Sequence, residues 1–117
     1  MTVPFADTSF SDRGVTARVP RAHLDALCAG HFPGDPIVPG AYVAGLLAEL
    51  SAMLLTARSE RRRLTEVERC TFLAPLRPAD DVMLIASAPE TRADGLVITA
   101  EVRTDGNCVA RGRFRFA

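Results

Sequence analysis

HFPGDPIVPGAYVAGLLAELSAMLLTAR, residues 31–58, is the stretch that decides the fold. Its first ten residues hold three prolines and two glycines, which exclude regular secondary structure and favour a stiff, shaped loop. The remainder is rich in Ala, Leu and Met and predicts one long helix over residues 41 to about 58. Because Leu, Val and Met occur on nearly all sides of this helix, we expect it to be mostly buried.

Short extended runs surround the helix. An alternating run over residues 14–19 predicts a strand before it, and a weak helical turn is expected over residues 22–27. After the helix, strands are predicted over residues 67–73, 82–88, 96–103 and 109–116. Asp105, Gly106 and Asn107 are typical of a hairpin turn between the last two. This order predicts an α+β fold, with an antiparallel sheet wrapped round one central helix.

Composition indicates one ordinary globular domain over residues 1–117, with 48% apolar and 24% charged residues. The 14 basic residues balance the 14 acidic ones, which excludes a nucleic-acid-binding protein that depends on a strongly cationic surface.

Several features favour a soluble protein in the cytoplasm. Cys28, Cys70 and Cys108 are odd in number and widely spaced, as expected of reduced thiols. The N-terminal residues have neither a basic start nor an apolar stretch, so no signal peptide is expected. The apolar segment 41–57 is slightly short for a bilayer and carries Glu49 near its centre, so no membrane association is expected.

The loop and the helix start together suit proton chemistry. His31 is the side chain of the loop that changes charge near neutrality, and the Pro-Gly pairs would hold its imidazole in one pose. Gly40 precedes the predicted helix, where free N–H groups and the helix dipole stabilise a carbonyl oxygen that gains negative charge. Such a pair suits proton abstraction beside a thioester carbonyl. The alternative is a structural histidine that caps a rigid turn.

The ten-residue loop HFPGDPIVPG, followed by an apolar helix, closely resembles the active-site loop of the hot-dog-fold β-hydroxyacyl-acyl-carrier-protein dehydratases of the FabA/FabZ type. Residues 69–87, RCTFLAPLRPADDVMLIAS, are similar to that family's strand, proline-containing turn and strand. The resemblance implies a single hot-dog domain that acts on an acyl thioester carried by acyl carrier protein or coenzyme A. No cofactor is expected, and no metal site, because no second closely spaced pair of ligands accompanies Cys28 and His31.

The resemblance also implies roles for individual residues. His31 matches the histidine that acts at C2 and C3 of the 3-hydroxyacyl chain, and Gly40 matches the glycine whose N–H group binds the thioester carbonyl. Phe32 and Pro39 match residues that shape the loop beside the substrate. Family members are homodimers, sometimes assembled into hexamers, in which the histidine of one protomer meets an acid from the partner's helix.

The sequence departs from the family at that acid. The family places Asp or Glu fourteen residues after the histidine, where this chain has Gly45, which we expect to border the substrate. Glu49 is the expected substitute: it lies four residues further along the same helix face, and helical side chains lean toward the N-terminus. The alternative is that Glu49 belongs to a thin polar stripe or forms a structural hydrogen bond.

Three functions follow from these expectations. The first is a FabZ-like 3-hydroxyacyl thioester dehydratase of fatty-acid or related lipid or polyketide synthesis, with His31 and Glu49 as its catalytic residues. The second is a thioesterase on the same fold. The third is a non-catalytic or half-catalytic subunit of a heterodimeric dehydratase. A basic run after the helix would dock an acidic acyl carrier protein or form a solvated helix end: Arg58, Arg61, Arg62 and Arg63.

Overall fold

The computed structural model describes residues 3–29 and 34–117. It contains β1 (Ala6–Ser11), β2 (Gly14–Arg18), α1 (Arg21–Leu27), α2 (Gly40–Ala57), β3 (Leu64–Phe72), β4 (Met83–Ser87), β5 (Glu90–Arg92), β6 (Gly95–Thr104) and β7 (Asn107–Phe116). The predicted catalytic residue His31 and the predicted loop residue Phe32 lie outside the described residues.

The strands form one antiparallel sheet in the order β1-β2-β4-β6-β7-β3, and the short strand β5 pairs with β6. Helix α2 packs against this sheet and contacts β2, β3, β4, β6 and β7. The predicted α+β architecture, a sheet wrapped round one long helix, is therefore confirmed.

Helix α2 forms the centre of the core, as its composition predicts. Its fully buried apolar side chains each contribute about 1.5–3 kcal/mol by leaving water, and they are Val43, Leu46, Leu47, Leu50, Leu54 and Leu55. The buried hydroxyl of Ser51 donates a hydrogen bond of 2.8 Å to the Leu47 carbonyl oxygen, so it is not left unpaired. By length and composition alone α2 would be able to cross a membrane, but here the sheet covers one side of it. Only 39% of the helix is buried, so the expectation of a mostly buried helix was wrong, and its other side is exposed.

Strand β7 follows its predicted alternation. Ala110, Gly112, Phe114 and Phe116 face the core, while the arginines between them remain at least partly exposed on the outer face. A side chain at Gly112 would place its Cβ 2.9 Å from the Phe114 ring, so glycine makes room for that aromatic side chain.

Two strands were not predicted, and several boundaries differ. Strand β1 has the polar sequence ADTSFS and is almost entirely exposed, and β5 has only three residues, so neither shows an apolar period. The hairpin turn consists of Asp105 and Gly106 alone, with φ values of 55° and 77°. Asn107 already pairs with Thr104 and belongs to β7, so its assignment to the turn was wrong.

Candidate active site

The N-terminal end of α2 offers free backbone N–H groups. Pro39 precedes the helix with φ −56° and ψ 142°, and its carbonyl accepts the N–H groups of Tyr42 at 2.9 Å and Val43 at 3.1 Å. Within residues 3–29 and 34–117, the N–H groups of Gly40 and Ala41 have no recorded acceptor. These two groups and the helix dipole favour a negatively charged oxygen at this end of α2. The role of Gly40 in binding a thioester carbonyl stays a prediction.

The loop that leads to Gly40 is fixed against the segment after β3. The N–H group of Val38 donates to the carbonyl of Leu76 at 2.8 Å, and both side chains are buried. Asp35 receives two hydrogen bonds from the Arg77 guanidinium, at 2.9 and 3.3 Å. These bonds hold the pKa of the Asp35 carboxyl below its usual value. Sequence reasoning missed this attachment because the two partners are 42 residues apart.

Phe72, the last residue of β3, packs directly on Gly40. A Cβ added to Gly40 would lie 3.1 Å from Cζ of the Phe72 ring, so any side chain there would push the ring aside. Beside this contact lies an apolar cavity of about 480 Å³, lined in part by Ile37, Val43, Leu73 and Leu76 as well as Phe72. An apolar chain whose carbonyl reaches the start of α2 fits this arrangement.

Gly45 lies on an exposed part of α2. A Cβ added there would meet no heavy atom within 4 Å among the described residues, so the position is sterically open. Glu49, one turn further on, is half-buried, and its Oε1 accepts the backbone N–H of Val3 at 2.9 Å. The carboxylate thus attaches the N-terminal segment to the helix, as the structural alternative for this residue expects. Its role as a substitute acid stays a prediction.

The basic run after α2 is partly engaged in structural contacts. Arg58 donates from Nη2 to the carbonyls of Ser11 at 3.2 Å and Asp12 at 2.9 Å, which joins the helix end to the turn between β1 and β2. Arg62 forms an ion pair of 3.2 Å with Glu60. Docking of a carrier protein at this run stays a prediction.

Cys28 shows no sign of activation as a nucleophile. Burial raises the pKa of the Cys28 thiol, with a smaller contribution from Asp25, so the fraction of nucleophilic thiolate is low. In the part of the chain that the structure describes, no group of three His, Cys, Asp or Glu side chains is placed to hold a metal ion.

Comparison with protein-family models gives one decisive match. The model described as ApeI-like, ApeI dehydratase, matches residues 11–113 of this chain. The chain belongs to the ApeI-like dehydratase family. The match includes the loop, all of α2 and most of the sheet, and it confirms the resemblance to the FabA/FabZ dehydratases.

Curated relatives of this ApeI-like chain are named 3-hydroxyacyl-[acyl-carrier-protein] dehydratase FabZ. The protein of Thermomicrobium roseum is 30% identical over 92 residues, which cover 75% of this chain and 62% of that protein. The protein of Rickettsia bellii strain RML369-C is 27% identical over 90 residues, which cover 73% and 62%. The chain therefore spans about three fifths of the length of these relatives.

Among solved structures, the dehydratase heterocomplex ApeI:P from Xenorhabdus doucetiae matches with a TM-score of 0.73 and 18% identity, covering 100% of this chain and 99% of that one. This likeness confirms the hot-dog fold.

Proposed function

We propose that the protein is a FabZ-like dehydratase of (3R)-hydroxyacyl thioesters in fatty-acid or related lipid or polyketide synthesis. Membership of a dehydratase family supports this, and so do relatives named for the same reaction. The observation that carries the proposal is the helix end at Gly40, whose N–H group has no recorded acceptor among the described residues and lies beside an apolar cavity. This arrangement fits a thioester carbonyl and its acyl chain better than a polar substrate.

The reaction removes a proton from C2 and the hydroxyl group from C3 and yields an unsaturated thioester and water. His31 is proposed to take the C2 proton, while the Gly40 N–H group stabilises the negative charge that develops on the thioester oxygen. The departing hydroxyl needs a proton, which returns from the His31 imidazolium or comes from a separate acid. Position 45 supplies none in this chain.

The open position at Gly45 favours a second form of the proposal, in which the active site combines two different chains. The related structure from Xenorhabdus doucetiae is described as a heterocomplex. In such an arrangement this chain contributes His31 and Gly40, and a partner with the same fold contributes the acid. The engagement of Glu49 by Val3 supports this form over a substitution by Glu49.

Strand β3 is the proposed contact with a second chain. It lies at one end of the strand order, and four of the six exposed large apolar side chains in the described residues lie on or beside it. They are Leu64, Val67, Phe72 and Leu73. An exposed apolar edge strand is a template for pairing. We place there a second copy of this chain in a homodimer, or a related acid-bearing chain in a heterodimer.

The experiment is mass spectrometry of a short 3-hydroxyacyl thioester incubated with the purified protein, alone and after co-expression with an acid-bearing hot-dog chain. Loss of water that disappears in His31→Ala is the expected result, and a correctly folded His31→Ala variant with full activity would overturn the assignment. Turnover only with the second chain would establish the heteromeric form. Release of the free acid instead of the unsaturated thioester would replace the dehydratase by a thioesterase.

A further inference from the structure

A second cavity, of about 510 Å³, lies on the outer face of the sheet, away from α2. It is lined by Arg69, Thr71, Leu73, Thr99, Arg111 and Arg113, together with the backbone at residue 112. Strand pairing explains this grouping: Arg113 of β7 lies opposite Arg69 of β3 on one side and Thr99 of β6 on the other. Three guanidinium groups and two hydroxyl groups therefore surround one depression.

The charges in this cavity are poorly balanced. Among the residues that the structure describes, no carboxylate lines it. Arg69 and Arg111 are exposed, and within residues 3–29 and 34–117 neither forms a recorded ion pair or side-chain hydrogen bond. Like charges directly opposite each other on neighbouring strands destabilise a sheet, as Arg69 and Arg113 do here. An anion between the guanidinium groups would reduce this repulsion.

Two acids near the cavity balance its charge in part. Glu68 accepts two hydrogen bonds from Arg115 at its Oε2 atom, at 2.8 and 2.5 Å. Its other oxygen, Oε1, forms an ion pair of 3.6 Å with Nε of Arg113, beyond hydrogen-bond distance. That Nε is buried and has no hydrogen-bond partner among the described residues. Glu101 lies opposite Arg111, but its recorded ion pair, at 3.9 Å, is with Arg103.

This second cavity, called the arginine cavity after Arg69, Arg111 and Arg113, adjoins the apolar cavity of the candidate active site. Leu73, the first residue after β3, lines both. Strand β7 contributes to both cavities as well, through Ala110 on the inner face and Arg111 on the outer face. A ligand long enough to pass Leu73 would therefore have its thioester carbonyl at Gly40 and its other end among the arginines.

We infer that Arg69, Arg111 and Arg113 bind the phosphate group of the pantetheine arm that carries the acyl thioester. This inference rests on the proposed function, which requires such a carrier. Guanidinium groups bind phosphate oxygens through paired hydrogen bonds, and threonine hydroxyls complete such sites. Coenzyme A and acyl carrier protein share this phosphate, so the site suits either carrier.

The test is calorimetric titration of the protein with pantetheine, 4′-phosphopantetheine and coenzyme A. We expect 4′-phosphopantetheine to bind at least about tenfold more tightly than pantetheine, because only it carries the phosphate. Further gain with coenzyme A would assign it as the carrier, whereas equal affinity would show that the arm's own phosphate suffices. Equal affinity of 4′-phosphopantetheine and pantetheine would overturn the inference.

Variants separate this site from general attraction of anions. Arg111→Gln is expected to reduce the preference for 4′-phosphopantetheine to about threefold or less, since it removes a charge-assisted contact. Arg13→Gln, which removes the same charge at an exposed position outside the cavity, is the matched control and is expected to leave the preference unchanged. Arg69→Gln is expected to weaken phosphate binding while the melting temperature stays constant or rises, because it relieves repulsion from Arg113. Equal losses in Arg13→Gln and Arg111→Gln would contradict the inference.

These titrations need no turnover, so the two proposals fail separately. A preference for phosphate without dehydration, both alone and with the acid-bearing chain, would leave the arginine site standing and overturn the dehydratase. Dehydration without any preference for the phosphorylated arm would do the reverse.

Discussion

Replacement of Gly45 by Asp tests where the acid of the reaction comes from. The position lies inside α2, and an added Cβ meets no heavy atom within 4 Å among the described residues, so a side chain can be introduced without a clash. The family resemblance places an acid at this point of the helix. Since a positioned general acid contributes about 10²–10⁴-fold to a rate, we expect the variant on its own to dehydrate a 3-hydroxyacyl thioester at least about 100-fold faster than the native chain.

The change in stability is too small to account for such an increase. Gly inside a helix is about 0.8–1 kcal/mol less favourable than Ala, and Asp lies between the two. Gly45→Asp is therefore expected to stabilise the fold by no more than about 0.5 kcal/mol, and Gly45→Ala by up to about 1 kcal/mol. For a chain of this size, 1 kcal/mol corresponds to roughly 3–6 °C in the melting temperature.

The assay is the rate at which the unsaturated thioester forms, followed by mass spectrometry. Gly45→Asn is the matched control, because it has almost the same shape without the acid. Addition of His31→Ala to the Asp variant is expected to abolish the gain. If the Asp and Asn variants turn over equally slowly, an acid at position 45 does not complete the site and the reasoning from the family pattern is refuted.

Three further predictions concern single contacts. Glu49→Ala is expected to lower the free energy of unfolding by about 1–2 kcal/mol, because the Val3 amide loses its acceptor. Glu49→Gln retains an acceptor and is expected to lower it by less than about 1 kcal/mol, as measured by chemical denaturation. A fall of about 100-fold or more in the activity of a stable Gln variant would instead make Glu49 the acid. The amide of Asp105 donates to Asp81 at 2.6 Å and lowers the pKa of that carboxyl. This contribution to stability is therefore present above the unfolded pKa, about 3.9, and lost as the pH falls through the lower folded value. Asp81→Asn should thus lower the melting temperature at pH 7 and make little difference near pH 2, and an equal loss at both pH values would contradict this. Gly14→Ala is expected to destabilise the fold by more than about 2 kcal/mol. The added Cβ would lie 1.9 Å from the Ala86 carbonyl oxygen, and residue 14 has a φ of 139°. A melting temperature like that of the native chain would show that β2 and β4 separate easily.

Prediction from sequence succeeded where a buried element has a strong period. Helix α2 and strand β7 have one, because each places apolar side chains against the core at regular spacing. Strand β1 has none, since backbone pairing with β2 holds it in place while its side chains face solvent. Backbone pairing sets the register of β1 whatever side chains it exposes, so the sequence pattern does not reveal this strand.

The candidate site divides in the same way. The position of Gly40 at the start of α2 was predictable because a helix start is a local feature of the chain, whereas its role in binding stays a prediction. The ring of Phe72 over Gly40 and the bond between Arg77 and Asp35 depend on strand register and on contacts across more than thirty positions. The arginine cavity is intermediate. The alternation of β7 places Arg111 and Arg113 on one face, but only the pairing with β3 adds the third guanidinium group.

The two glycines of α2, at positions 40 and 45, have different surroundings. Gly40 is constrained within this chain, because a Cβ there would lie 3.1 Å from the exposed Phe72 ring, which would have to shift. Gly45 is not required by any contact in the described residues, and helix propensity disfavours it. Position 45 also lies beside exposed Tyr42 on the uncovered side of α2. The proposed heteromeric form would account for glycine there, because a second chain that closes over α2 and brings its own acid leaves position 45 no need to supply one.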